Sequence, residues 1–295
     1  MQLRSRRDVT KPAKFEYVRP ATVPEALAAL DRGNSRVLAG GQSLVPMMNF
    51  RLVQPDRLVD INRIAELGRI ERTERGVRIG ALVRHAEAED DALLAGHFPI
   101  VAEAMSHVAH VAIRNRGTVA GSLCHADPSA EWPLLATLLD GEIEILGREG
   151  RRAAAPGDFF VAPLVTALED GELATGLHLP LPDGGAATAF DEVSLRAGDF
   201  ALAAAGALVR AERGRFAEVR LALGGVSDTP VRVDALERAL VGEPATAAAI
   251  ETVLPLSTCG LEPADDPHAS GAYRLSLVPV LARRVLTRAA ETALR

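Results

Sequence analysis

An α+β fold follows from three features of this sequence. Strand and helix signals are grouped rather than strictly alternating: in the last third of the chain the strands come first and three helices follow. Two short segments, Ala39-Gly40-Gly41-Gln42-Ser43 and Thr118-Val119-Ala120-Gly121-Ser122, each follow an apolar run and lead into helix-forming sequence. Finally, Pro180-Leu181-Pro182-Asp183-Gly184-Gly185 marks a linker, and 295 residues exceed the usual size of one core, so two or three domains are expected.

The elements are justified in order. Residues 22–30 read as a helix, with Thr22 or Val23 at its start and Gly33 just past its end. A short strand over 35–39 delivers the first glycine segment, and Ser43 stands at the N-cap of a short helix with Pro46 in its first turn. Strands follow at 57–61 and 77–80, the second entered through a hairpin-like turn at Glu74-Arg75-Gly76. A helical region over 99–111 leads into the second glycine segment through Ile113-Arg114-Asn115-Arg116-Gly117. Asp127-Pro128 supplies an N-cap with proline at the first helical position, and Trp132, Leu135, Leu138 and Leu139 form an apolar stripe ending before Gly141. A strand over 142–146 completes this part. Beyond the linker, strands over 200–209 and 218–223 are joined by a turn at Arg213-Gly214, with a third short strand or turn near Gly224-Gly225-Val226. Helices over 233–240, 246–254 and 272–294 close the chain.

Composition excludes several function classes. A net charge of −6 and 4% aromatic residues leave neither the basic field nor the stacking platforms of a nucleic-acid binder. With only two cysteines, Cys124 and Cys259, the chain builds neither a disulfide scaffold nor a four-cysteine zinc or iron–sulfur site, and a reducing cytoplasm is the expected location. The basic start, with Arg6-Arg7, is followed by polar Asp8, Thr10 and Lys11, so residues 1–14 read as a flexible tail rather than a leader. The late apolar stretch carries Arg283, Arg284 and Arg288, so no membrane span is expected.

The two glycine segments carry the chemistry. Backbone N–H groups approach phosphate oxygens only where side chains do not block them, and a helix start adds unpaired donors, so two such bends suit a diphosphate gripped from two sides. A dinucleotide-binding reading of the first segment, with Asp60 as the ribose-binding acid, fails because Gln42-Ser43-Leu44 breaks the glycine spacing. Ser122, His125 and Asp127 add polar groups behind Gly121 that a ribose hydroxyl or phosphate would use. His107 and His110, three apart on the expected helix, match no zinc pattern with Cys124-His125. Gly41-Gln42-Ser43-Leu44-Val45 lacks the second glycine of a hydrolase elbow. Met47, Met48, Leu277, Leu281 and Val285 read as core. No metal site is expected, and no side chain is assigned as a catalytic acid or base.

The strings Leu38-Ala39-Gly40-Gly41-Gln42-Ser43-Leu44-Val45-Pro46-Met47-Met48-Asn49-Phe50-Arg51-Leu52 and Thr118-Val119-Ala120-Gly121-Ser122-Leu123-Cys124-His125-Ala126-Asp127-Pro128 resemble those of the FAD-binding medium subunit of the molybdenum hydroxylases, the xanthine dehydrogenase and carbon monoxide dehydrogenase family. Tyr17-Val18-Arg19-Pro20, Arg196-Ala197-Gly198-Asp199-Phe200-Ala201, Leu223-Gly224-Gly225-Val226 with Pro230, and Tyr273-Arg274 extend the similarity over nearly the whole chain. The resemblance implies a flavoprotein of the p-cresol methylhydroxylase type: a FAD-binding domain over 15–183, with subdomains of about 15–65 and 66–183, and a C-terminal α+β domain over 186–295 with an antiparallel sheet and helices.

By the same resemblance, Ala39, Gly40, Gly41, Gln42, Ser43 and Leu44, with Thr118, Ala120, Gly121 and Ser122, would hold the pyrophosphate. Asp127 would bind a hydroxyl of the adenosine half, and Leu173 would border the isoalloxazine or its linker. Ala120 stands where relatives often carry a glycine, Asp191 where some have a lysine near the flavin, and Phe190 where some have a tyrosine over the ring.

The function so implied is electron transfer. The chain would be the FAD subunit of an oxidoreductase, a molybdopterin-dependent hydroxylase, whose large subunit carries molybdopterin and whose small subunit carries two-iron two-sulfur clusters, in a dimer of heterotrimers. FAD would pass electrons from the iron–sulfur subunit to an external acceptor. Two alternatives stay open: a non-catalytic flavin- or nucleotide-binding scaffold, and a stand-alone flavin oxidase of the same wider fold.

Overall fold

The computed structural model describes residues 11–295; of the expected tail, residues 1–10 lie outside the described residues. The chain opens with β1 (Glu16–Val18), α1 (Val23–Leu30), β2 (Ser35–Leu38), α2 (Leu44–Asn49) and β3 (Arg57–Asp60), and the strands form a parallel sheet in the order β1-β3-β2. Parallel neighbours require crossovers, and α1 and α2 provide them. Thr22 caps α1 by accepting a bond from Glu25 N, Pro24 sits in its first turn, and Val23, Ala26 and Leu30 form the buried face.

The second part contains β4 (Ile70–Arg72), β5 (Gly76–Gly80), α3 (His85–Asp90), α4 (Ala92–His97), α5 (Ile100–Met105), α6 (Val111–Arg114), α7 (Val119–His125) and α8 (Glu131–Leu138). It continues through β6 (Glu142–Gly147), β7 (Gly150–Ala154), α9 (Pro156–Phe159), β8 (Phe160–Ala162), β9 (Val165–Thr166) and β10 (Leu173–Pro180). Five strands pair antiparallel in the order β4-β5-β10-β6-β7. Val77, Ile79, Ile143, Ile145, Leu177 and Leu179 fill one face, and the side chains of Arg78 and Glu144 pair at 2.8 Å on the other, the alternation of a sheet with one buried side.

Three local expectations are corrected here. The helix expected over 99–111 ends at Met105, because Ala109 takes a left-handed conformation (φ 42°) that breaks the turn before α6 begins; His107 and His110 therefore share no helix face. The helix expected from Asp127-Pro128 starts only at Glu131. Ala126 is left-handed (φ 51°), and Asp127 Oδ1 accepts from Ser129 N at 2.9 Å, closing a local turn in place of a helix cap. Ser43 occupies the N-cap position of α2, yet its side chain makes no capping bond.

The last part is β11 (Ala186–Ser194), β12 (Ala201–Glu212), β13 (Arg215–Gly224), β14 (Val231–Arg232), α10 (Asp234–Leu240), α11 (Ala247–Val253) and α12 (Gly271–Ala293), with an antiparallel sheet in strand order. Strand β12 is buried continuously from Ala201 to Val209, so both of its faces are covered. Ala203, Ala205, Ala207 and Val209 join a core with Val278, Leu281, Val285 and Leu286 of α12, each of which is worth about 1.5–3 kcal/mol when fully buried. On the other face a Cβ at Gly206 would press on Leu134 and Leu138 of α8, and Gly225 N donates to Pro128 O at 2.8 Å. Small residues thus let the sheet press against the preceding domain. No helix among the described residues is long and apolar enough to cross a membrane.

Candidate functional site

Strand β2 ends at Leu38, and the chain then turns through Ala39 to Ser43 into α2. Gly41 holds a left-handed conformation (φ 73°), and a Cβ at Gly40 would fall on the carbonyl oxygen of Arg116, so this bend packs directly on the approach to the second motif. Val45 N is the first amide of α2 to find a partner, at Gly41 O (3.1 Å). The amides of Gly40, Gly41, Gln42, Ser43 and Leu44 donate to no acceptor among the described residues. Five successive N–H groups at a bend form a concave donor surface suited to an anion.

The second motif is built differently. Thr118 caps α7, its Oγ1 accepting from Gly121 N at 3.1 Å. Val119 N donates to Val83 O (3.0 Å), Ala120 N to Ala81 O (3.3 Å) and Ser122 N to Thr118 O (3.0 Å). Amides expected to grip a ligand are thereby used to fasten α7 to the strand end that follows β5. What the motif offers the cavity is side-chain chemistry: the Ser122 hydroxyl, like that of Ser43, makes no hydrogen bond to another group among the described residues.

A polar network joins the motifs. Asn62 Nδ2 donates to Ala39 O (2.9 Å) and Asp60 Oδ1 (2.6 Å), while Arg84 bridges Asn62 Oδ1 and Arg116 O, both at 2.6 Å. Asp60 also accepts from Tyr17 and pairs with Arg19 at 3.3 Å. Burial alone would raise its pKa, but these partners outweigh it and hold the carboxyl below its ordinary value. Asp60 is therefore a structural anion that fixes the first loop. On the other side, Trp132 Nε1 donates to His85 Nδ1 at 2.9 Å, and His85 N donates to Gly117 O. Burial lowers the His85 pKa to about 4, so the ring is neutral and can accept that bond.

Both motifs line one cavity of about 620 Å³, to which Ala39, Gly40, Gly41, Gln42, Ser43, Leu44, Thr118, Ala120, Gly121, Ser122 and Leu173 all contribute. Arg36, Gly171 and Leu173 contribute to its wall, with Gly171 against Asp31. Val108, Ala109, Gly198, Asp199 and Phe200 contribute too, with Gly198 packed on the Ala109 carbonyl. Ala109 and Leu164 (φ 60°), both in the wall, hold left-handed conformations that non-glycine residues seldom adopt.

Two expected site residues are not in this wall. Phe190 is 1% exposed and packs edge-on against His107 at 5.5 Å between ring centres, because its position on β11 points it into the core. Asp127 spends an oxygen on its own turn. Asp191, on the opposite face of β11, pairs with Arg284 of α12 at 3.2 Å.

The wall holds instead two residues missed from the sequence, Phe200 (58% exposed) and Glu131 (7% exposed). Phe200 stands just before β12, where strand alternation said nothing of a cavity. Glu131 opens α8, where an acid is ordinary helix chemistry. Met47, read as core, is also in the wall, whereas Met48 is buried. Cys124 lines it too, with its thiol pushed up to about 12 by burial, so it stays a neutral, poorly nucleophilic group.

Comparison with known proteins matches this architecture. Residues 13–182 match the family model for the FAD binding domain in molybdopterin dehydrogenase, and residues 188–289 match the CO dehydrogenase flavoprotein C-terminal domain. The chain is 36% identical to the caffeine dehydrogenase subunit beta of Pseudomonas sp. strain CBB1, with 95% of this chain and 96% of that one covered. Against the carbon monoxide dehydrogenase medium chain of Afipia carboxidovorans the identity is 33%, covering 96% and 99%. The crystal structure of quinoline 2-oxidoreductase from Pseudomonas putida 86 superposes with a TM-score of 0.93 at 37% identity, over 97% of this chain and 100% of that one. The chain therefore belongs to the FAD-binding medium subunits of the molybdenum hydroxylases, an oxidoreductase family in which the flavin domain is followed by the carbon monoxide dehydrogenase type of C-terminal domain.

Proposed function

We propose that this chain binds FAD in the cavity and relays electrons from an iron–sulfur partner to an external acceptor. The observation that carries the reading is the run of five amides from Gly40 to Leu44 that have no partner among the described residues, in the same cavity wall as the Ser43 and Ser122 hydroxyls, likewise unbonded among those residues. That donor set fits a diphosphate, which has several charged acceptor oxygens and no donor of its own. Asp127 is replaced in this assignment by Glu131 as the carboxyl that meets the cofactor, and Phe190 by Phe200 as the aromatic beside the ring. The part of the wall with Phe200 suits the isoalloxazine, because an exposed phenyl face offers stacking. Leu173, in the same wall, is assigned to border the isoalloxazine or its linker.

When bound, FAD supplies the two-electron and one-electron redox chemistry, and the protein supplies orientation and access. The partners assigned are a molybdopterin-binding large subunit and an iron–sulfur small subunit, in a dimer of heterotrimers in the cytoplasm. Residues 15–183 are assigned as the cofactor-binding domain and 186–295 as the domain that adds Phe200 to the cavity wall. Purified chain or complex is expected to show flavin absorbance or to take up added FAD, and substrate added to the complex is expected to bleach it. A chain that takes up no FAD refutes the binding assignment; a bound flavin that stays oxidised in the complete complex refutes the relay.

A further inference from the structure

Strand β12 does not begin evenly. Ser194 of β11 stands opposite Ala201 and Val193 opposite Ala203, so Leu202 is an extra residue, a β-bulge. The packing registers the shift. Ala203, Ala205 and Ala207 face α12, and plain alternation would put Ala201 with them; Ala201 instead joins Ala204 and Leu208 in the core shared with the preceding domain. Phe200, the next residue back, is thereby turned out of that core and stands 58% exposed in the cavity wall. A bulge disrupts the ladder, and Leu202 is buried, so its carbonyl is costly to leave unmet.

Arg274 takes up that carbonyl. Its Nη1 donates to Leu202 O at 2.6 Å and to Gly225 O at 3.2 Å, and its Nη2 pairs with Asp266 at 2.6 Å. Gly225 N donates in turn to Pro128 O at 2.8 Å, in the turn that leads to Glu131. Asp266 is itself held by the amides of His268 and Ala269. Nothing local calls for an arginine here. A cation in the first turn of α12 opposes the helix dipole, its side chain is 8% exposed, and its Nε is buried with no partner among the described residues.

We propose that Arg274 is a positioning residue that sets Phe200 against the bound flavin by pinning the β12 bulge. This deepens the cofactor reading above and rests on it. Arg274 is not part of the cavity wall and acts through Leu202, two residues from Phe200. A guanidinium is the fitting group, because one rigid fork reaches two carbonyls and a carboxylate at once, whereas the ammonium of a lysine is a single point charge on a flexible stem.

The test is a double-mutant cycle on the purified complex with R274K, F200A and the pair, reading FAD dissociation constant, flavin midpoint potential and melting temperature. F200A is expected to weaken FAD binding about 2- to 10-fold, the loss of one aromatic stack. R274K is expected to weaken it to a similar degree and to move the potential in the same direction. In the F200A background R274K should change neither reading further, while lowering the melting temperature in both backgrounds. F200W gives a second readout: its indole should quench flavin fluorescence when Arg274 is present and lose most of that quenching with R274K. D266N, which loosens Arg274 from behind, enters the same cycle and decides it if R274K does not assemble. Additive effects of the two sites on affinity and potential, wild-type values for the Arg274 or Asp266 variant, or unchanged quenching would overturn the positioning role alone. F200A with wild-type affinity and potential would overturn the place of Phe200 beside the ring and the inference with it, and a complex that takes up no FAD would overturn the cofactor reading itself.

Discussion

The two glycine motifs look alike in sequence and do opposite things with their backbones. At Gly40 to Leu44 the amides find no partner among the described residues, and the packing that needs glycine is against Arg116. At Val119 to Ser122 each amide already has an acceptor, so the motif is a fastened platform that presents hydroxyls. The difference teaches that a glycine-rich turn before a helix is evidence of close approach, but what approaches can be another part of the chain. Here one bend leaves its donors open toward the cavity, and the approach to the other packs on the first bend.

The sharpest way to break this contrast is Gly40→Val. Its side chain would drive the first loop off Arg116 and misdirect several donors at once, each worth about 1.5–3 kcal/mol toward a charged acceptor. FAD affinity is expected to fall about 100-fold or more, read as lost flavin absorbance per protein.

Acid separates the motifs next, through their anchors. His85 is neutral in the fold and titrates at about 4, against 6.5 as the ordinary value. The unfolded chain therefore binds the extra proton first. The stability His85 provides is complete above pH 6.5 and is lost as pH falls toward 4, roughly 3 kcal/mol in all. Asp60, whose carboxyl is lowered from 3.8, holds the first loop into more acid solution. Urea denaturation across this range is expected to show the loss in wild type and a flatter profile in His85→Gln.

A smaller effect is expected from Ser122→Ala, which removes one hydroxyl donor to a charged ligand: about 1.5–3 kcal/mol, or roughly 10- to 150-fold in FAD dissociation constant, with folding stability unchanged. Thr118→Ala should invert that pattern. Loss of the α7 cap costs about 1 kcal/mol of stability, a melting shift of roughly 2–4 °C, with a lesser change in affinity than Ser122→Ala.

Much of this was legible in the sequence. The α+β class, the glycine bends and the long closing helix follow from punctuation and periodicity, which are local. The failures are contacts between distant segments. The acceptors at Ala81 and Val83 that use up the second motif's amides belong to the strand end after β5, and no local pattern connects them to Ala120. Phe190 and Phe200 are equivalent as letters; one falls on a core-facing strand position and the other before a strand begins. Glu131 is hidden because the left-handed turn at Ala126 delays α8 past the Asp127-Pro128 signal.

The central contrast is tested most directly by backbone hydrogen exchange of the chain without and with FAD. Amides from Gly40 to Leu44 should exchange rapidly alone and become protected when FAD is added, while those from Val119 to Ser122 should be protected in both states. Unchanged exchange at Gly40 to Leu44, or protection gained only at Val119 to Ser122, would contradict the account.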